Sequence, residues 1–219
     1  MDIQIKDKID TKKSKCLEGI IFSYEMVKNI NSKLYTLCCG INEDKTKIYE
    51  ALMLCWSFID SVHRIREILQ AFPQLNQKDR KLISFLEGTK ITETYRNYIQ
   101  HLRLELNKNE FVDFPVWGSL SWVDKNNNGK CYKVIIGTNI NNVKFSSCAF
   151  DRFERKYVSN VSLSMNNLSY NFDIIFNYLK DYYVHFIKWL ESNNQRISET
   201  LINPIILSTE IQINNNVIT

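Results

Sequence analysis

The sequence predicts a mainly α protein of the α+β class: a helical bundle with a small antiparallel sheet inserted between its fourth and last helices. Three observations carry this. Gly (6) and Pro (3) are scarce among 219 residues, which favours long helices over sharp turns. Apolar residues recur at helical spacing through most of the first hundred positions and again near the C-terminal end. Between these stretches, residues 111–165 alternate apolar and polar side chains and carry turn-forming Asn, Asp and Gly. At this length a single domain, 1–219, is the natural unit, with 111–165 as a β insertion within it. The Asn- and Ile-rich tail, 203–219, reads as a late strand or a flexible end.

Taken in order, residues 1–12 are polar and charged and read as a frayed lead-in. From Lys13 to Cys39, Ile20, Ile21, Tyr24, Val27, Ile30, Leu34 and Leu37 gather on one helical face. Gly40 is a stop signal, Asn42 the next N-cap, and Glu43 and Asp44 suit a first turn. The second helix, Glu43 to Ala71, has the apolar stripe Ile48, Leu52, Cys55, Trp56, Ile59, Val62 and Leu69, with Pro73 beyond its end. Asn76 or Asp79 opens a short third helix, Lys81 to Glu87, closed by Gly88. Thr89 or Thr92 caps a fourth, carrying ITETYRNYIQHLRLELNK without a break. VWGSLSWV and KCYKVIIGT then form a hairpin across the Asp124 to Gly129 turn, with further strands near Val143–Phe150 and Lys156–Leu163. Helical spacing returns from Leu168 to Glu191.

A net charge of +4 tolerates an anionic partner without requiring one. Six cysteines form no CxxC pair and no metal-ligand spacing with the three histidines, so neither a metal nor another cofactor is expected. No apolar run approaches the ~20 residues of a membrane span, and the N-terminal stretch lacks an apolar signal region. The expectation is a reduced, soluble, cytoplasmic protein with no membrane partner.

One stretch reads as chemistry. Arg96 and His101 are separated by four residues in a helical context, with the polar Asn97 after the arginine. At roughly 100° per residue, Ile91, Tyr95, Tyr98, Ile99, Leu102 and Leu106 gather on the core side of that helix. Asn97 falls nearly opposite, and Arg96 and His101 occupy the two flanks. Leu104 shares the side of Asn97 and His101, so a covering element is expected there, either a second protomer or the β insertion.

The Arg96-Asn97-X3-His101 pattern resembles the Arg-X4-His motif of the HEPN superfamily, and the resemblance spans about Glu43 to Lys108. It implies a HEPN-like helical bundle, a homodimer with two motifs at one cleft, and a metal-independent endoribonuclease acting on RNA. Asp60, inside WSFIDSVHR, matches the polar or acidic position that such domains often carry on the second helix. A carboxylate among Trp56, Ile59 and Val62 calls for a partner. Either Arg96 across the bundle or Arg64 one turn along its own helix would serve. His63 lies nearer the apolar stripe and reads as a satisfied core histidine. Catalysis would rest on Arg96, Asn97 and His101, with Asp60 orienting Arg96. Toxin–antitoxin pairing or phage defence, with an antitoxin or other regulatory protein as partner, follows from the resemblance alone. In some toxin members a tyrosine two residues past the histidine is modified by the partner; that position here is Arg103, so this regulation is not expected.

Lys90, Arg103 and Lys108 are candidates to track an RNA backbone, and Tyr95, Tyr98, Trp117 or Trp122 to stack bases. Taken singly, each reads first as a solvated charge or a core aromatic. Two rival functions stand beside the nuclease. One is a non-catalytic HEPN-type module that binds a nucleotide or a protein; the other is an interaction subunit docking through the strand edges of 111–165.

Overall fold

The computed structural model describes residues 2–107, 116–126, 129–135, 150–151, 156–157, 159–165 and 168–193. The helices are α1 (Asp2–Cys39), α2 (Lys47–Ala71), α3 (Arg80–Gly88), α4 (Ile91–Gln100), α5 (Leu102–Leu106) and α6 (Phe172–Ser192). The strands are β1 (Ser119–Asp124), β2 (Lys130–Ile135), β3 (Phe150–Asp151), β4 (Lys156–Tyr157), β5 (Val161–Met165) and β6 (Leu168–Asn171). An antiparallel sheet runs β2-β1-β5-β6, and β3 pairs with β4 in a separate ribbon. The protein is thus mainly helical with a small antiparallel sheet. The tail 203–219 and most of the expected strand near Val143–Phe150 lie outside the described residues, as does Lys108.

The bundle forms because each amphipathic stripe needs a partner. Ile20, Val27 and Leu34 of α1, Cys55, Phe58, Val62, Ile65 and Leu69 of α2, and Ile175, Leu179, Phe186 and Leu190 of α6 are buried in one core. Leu82 and Phe85 of α3 and Tyr95 of α4 complete it. The sheet belongs to the same core: Leu120, Trp122, Leu163 and Tyr170 are all buried within it. Tyr95 Oη donates to the carbonyls of Leu163 and Leu168 at 2.7 and 3.1 Å, and Thr92 Oγ1 lies 3.0 Å from Tyr170 Oη. Burial pushes the Tyr95 and Tyr170 phenols well above the usual range, so both remain neutral hydroxyls. Far along α1, Tyr35 Oη accepts from the Lys125 backbone at 3.1 Å. The described sheet strands β1, β5 and β6 therefore form a wall of the bundle.

Several boundaries differ from the sequence reading, each for a local reason. α1 extends back to Asp2. α2 starts at Lys47, after a 3-10 turn over Gly40–Asn42, because Asp44 folds its carboxylate onto the Thr46 backbone and hydroxyl at 2.9 and 2.6 Å. Neither Thr89 nor Thr92 caps α4; both hydroxyls serve tertiary contacts, and Lys90 holds the N-cap position with no side-chain bond. Gly88 ends α3 without a left-handed turn; a Cβ there would meet the Tyr178 ring at 2.6 Å, so the ring packs against the bare backbone and would have to shift for any larger residue. Gly118 does need glycine conformationally: its φ is +79°, and a Cβ would lie 2.9 Å from the Ser164 carbonyl oxygen. Leu168–Asn171 is strand, paired with β5 in the register Leu163↔Tyr170, and α6 begins only at Phe172.

The helix carrying the motif is broken. α4 stops at Gln100 and His101 is a junction residue with φ −112° and ψ 25°, at once the C-cap of α4 and the N-cap of α5. Its N–H still reaches the Asn97 carbonyl at 2.9 Å, while its own carbonyl accepts from Leu104 and Glu105 at 2.8 and 3.0 Å. Hydrogen bonding thus continues through the joint although the His101 backbone leaves helical dihedrals. Leu106, expected in the core, is exposed.

Candidate functional site

The site is built on α4, and α4 is positioned from two sides. Arg66, deep in α2 and almost wholly buried, donates to the Leu86 carbonyl and to Thr89 Oγ1, both at 2.5 Å, and pairs with the Glu93 carboxylate. One guanidinium thereby ties the end of α3, the linker and the first turn of α4 to α2. Tyr95, a little further along, is bonded to the sheet as described. With those two anchors set, the rotation of α4 is fixed, and Arg96 is brought against α2.

There Asp60 meets both of its expected partners. Its Oδ2 accepts from Arg64 Nε at 2.7 Å, and its Oδ1 lies 3.0 Å from Arg96 Nε. The two readings of Asp60 were not exclusive, because a carboxylate has an oxygen for each. The contacts differ in kind. Arg64 makes an aligned hydrogen bond, whereas Arg96 Nε has no hydrogen-bond partner and meets Asp60 as an ion pair only. Asp60 and Arg96 are partly buried and Arg64 is exposed.

Asp60 and Arg96 form part of the wall of a groove of about 680 Å³, in the size range of ligand-binding clefts. Met26 of α1, Met53 and Trp56 of α2, Ile99 of α4, Leu102 of α5 and Trp117 before β1 supply much of the remainder. The groove is strongly apolar apart from the ionic pair and the hydroxyls of Ser57 and Ser61.

Asp60 and Arg96 are thus brought together, whereas Asn97 and His101 are exposed and do not line this groove. Leu104, for which a cover was expected, is 61% exposed, with no cover among the described residues. His63 is not a satisfied core histidine either: it is half-buried, and its Nδ1 has no hydrogen-bond partner. Among the four aromatics considered for base stacking, Tyr95, Tyr98 and Trp122 are buried core residues, and only Trp117 stands in solvent. Among the described residues no three His, Cys, Asp or Glu side chains cluster as a metal site, and no helix is long and apolar enough to cross a membrane.

Sequence reasoning missed Arg66 and most of the groove. The signal for the groove was present: Tyr49, Met53, Trp56 and Asp60 follow i, i+4, i+7, i+11 spacing, a second face of α2 beside the core stripe. Arg66 had no such signal, since its partners lie 20 to 27 residues away in the chain. Compared with protein-family models, with curated proteins and with solved structures, the chain matches none.

Proposed function

We propose that the chain is a HEPN-like, metal-independent endoribonuclease that works as a homodimer on RNA, as a toxin or phage-defence effector under the control of an antitoxin or other regulatory protein. The observation that supports it is the Asp60–Arg96 ion pair across α2 and α4, which holds a guanidinium at the edge of a groove, with His101 exposed at the end of the same helix. In this reading the 2′-hydroxyl of the substrate attacks the adjacent phosphate. Arg96 holds two phosphate oxygens and stabilises the added charge. His101 moves the protons, taking one from the 2′-hydroxyl or giving one to the departing 5′-oxygen. Asn97 steadies the phosphate or the imidazole. One chain offers a single motif histidine, and that histidine does not share the groove with Arg96. A two-fold partner placing a second His101 at the same bond supplies the missing half. The products are a 2′,3′-cyclic phosphate and a 5′-hydroxyl.

The separation of His101 from the groove also favours a second reading, a non-catalytic HEPN-type module that uses Arg96 to bind a nucleotide or a protein. Incubating mixed RNA in EDTA with wild type, Arg96→Ala and His101→Ala, and analysing the 3′ ends, separates the two. The nuclease gives cyclic-phosphate ends and loses about a hundredfold or more in rate with either substitution. RNA bound but left intact by the wild type favours the binding module. Cleavage that needs added metal, or that survives both substitutions, counts against the nuclease.

A further inference from the structure

A second cavity lies where α1, α6 and the sheet meet, and it shares no residue with the groove beside Arg96. Tyr24 of α1 and Tyr183 of α6 stack with ring centroids 3.5 Å apart, which sets the two helices side by side. Two turns on along α1 and two turns back along α6, Asn31 and Phe176 line a pocket of about 420 Å³. Asp173 and Asn177 of α6 line it too, and the sheet contributes Lys125 after β1 and Ser159 and Asn160 before β5.

The backbone around this pocket is pinned. Asn160 donates its N–H to Asp173 Oδ2 and accepts from the Val123 N–H at 2.9 Å. The buried Ser159 Oγ donates to the Val161 carbonyl at 2.5 Å, and the Lys125 N–H reaches Tyr35 Oη at 3.1 Å. The side chains are left over. The amides of Asn31, Asn160 and Asn177, the Lys125 ammonium and the second Asp173 oxygen have no hydrogen-bond partner among the described residues. Each amide both donates and accepts, so the pocket asks for groups that do the same. Its one ammonium and one carboxylate leave the lining without net charge. An anion would meet Asp173 and a cation would meet Lys125, so an ion of either sign gains little.

We propose that this pocket binds a neutral monosaccharide of hexose size. Every hydroxyl of such a ring is at once donor and acceptor, and the three amides, the free Asp173 oxygen and the Lys125 ammonium match that pattern. Phe176 supplies the one apolar surface of the lining, for the C–H face of the ring. The volume falls in the range of small-molecule sites and holds a single ring with waters bridging its outer hydroxyls. A zwitterionic amino acid suits the charges less well. Its carboxylate would depend on Lys125 alone, an exposed and flexible side chain, and most of the amides would stay unused. The nuclease reading is not needed for this assignment.

The test is saturation-transfer NMR on the full-length protein with D-glucose, D-mannose and D-galactose, each raised to about 10 mM, which reaches sites of roughly millimolar affinity. At least one of these sugars is expected to take up saturation at its ring protons. Asn31→Ala and Asn177→Ala, made singly, each remove one amide and are expected to weaken binding about fivefold to tenfold. Lys125→Met removes the ammonium from a turn, leaves the backbone bond to Tyr35 in place, and is expected to weaken binding severalfold, which separates lost contacts from a misfolded helix. Tyr49→Ala, in the groove beside Arg96, is expected to change nothing. Absence of transfer to all of the sugars overturns the assignment. So does binding that the pocket variants leave intact, or that Tyr49→Ala alone abolishes. Displacement of the sugar by an equal concentration of L-glutamine or inorganic phosphate would give the pocket to a zwitterion or an anion, and overturns it as well.

Discussion

Asp79 shows how much one side chain can be read from sequence and where its neighbours still matter. It precedes a short apolar-periodic stretch, and it caps α3 as that position suggests, accepting from the Lys81 and Leu82 backbones at 2.7 and 2.9 Å. The contact with His185 of α6, 3.5 Å away, could not be read from spacing. Partial burial works to raise the Asp79 pKa, but the Leu82 and Lys81 N–H groups and His185 outweigh it and hold the carboxyl below the usual range. A folded-state pKa below the unfolded one contributes stability above the unfolded value and loses it as pH falls through the folded one. Asp79→Ala is therefore expected to cost about 1 kcal/mol near neutral pH. The gap between variant and wild type should close as pH drops below about 4, and urea unfolding at a series of pH values checks it. A gap that stays constant into acid would mean that the carboxylate charge plays no part.

At the scale of elements, α4 carries the candidate chemistry and depends on residues outside it. The hydrophobic period of Ile91, Tyr95, Tyr98 and Ile99 was legible, and the structure buries or half-buries all of them. Its start was misread because Thr89 and Thr92 have the composition of caps but spend their hydroxyls on Arg66 and Tyr170. Its end was misread because neither Gly nor Pro marks the joint at His101. Arg66→Ala is expected to destabilise the fold by about 3 kcal/mol, since it strips partners from the Leu86 carbonyl, Thr89 and Glu93 together. The matching substitution at Arg64, whose contact is exposed, should cost under about 1 kcal/mol. Chemical denaturation of both variants measures the contrast, and equal losses would contradict the anchoring role of Arg66.

For the whole molecule, the proposed nuclease requires Arg96 and His101 to act on one phosphate, although His101 does not line the groove that Arg96 lines. Leu104 and Leu106 stand exposed on α5, and Tyr49, Met53 and Trp117 ring the groove. The proposed mechanism needs the second protomer, so specific activity should fall on dilution through the dimer dissociation range and become second order in protein at the low end. Light scattering across the same concentrations gives the assembly state. A monomer with undiminished activity per chain would remove the two-histidine cleft while leaving a single-chain site to be considered.

The sequence alone determined what depends on neighbours along the chain: the helical stripes, the change to alternation after residue 110, the Asp79 cap and the Arg96-Asn97-X3-His101 spacing. Periodicity and capping are local, so they leave a local record. Only the tertiary structure decided what depends on distant residues. Asp60 shares itself between Arg64 and Arg96, Arg66 sets α4 in place, the sheet forms a wall of the bundle, and Arg96 faces an aromatic-rimmed groove that His101 does not enter. A side chain's partner is chosen by packing among helices far apart in sequence, and spacing along one helix cannot encode it.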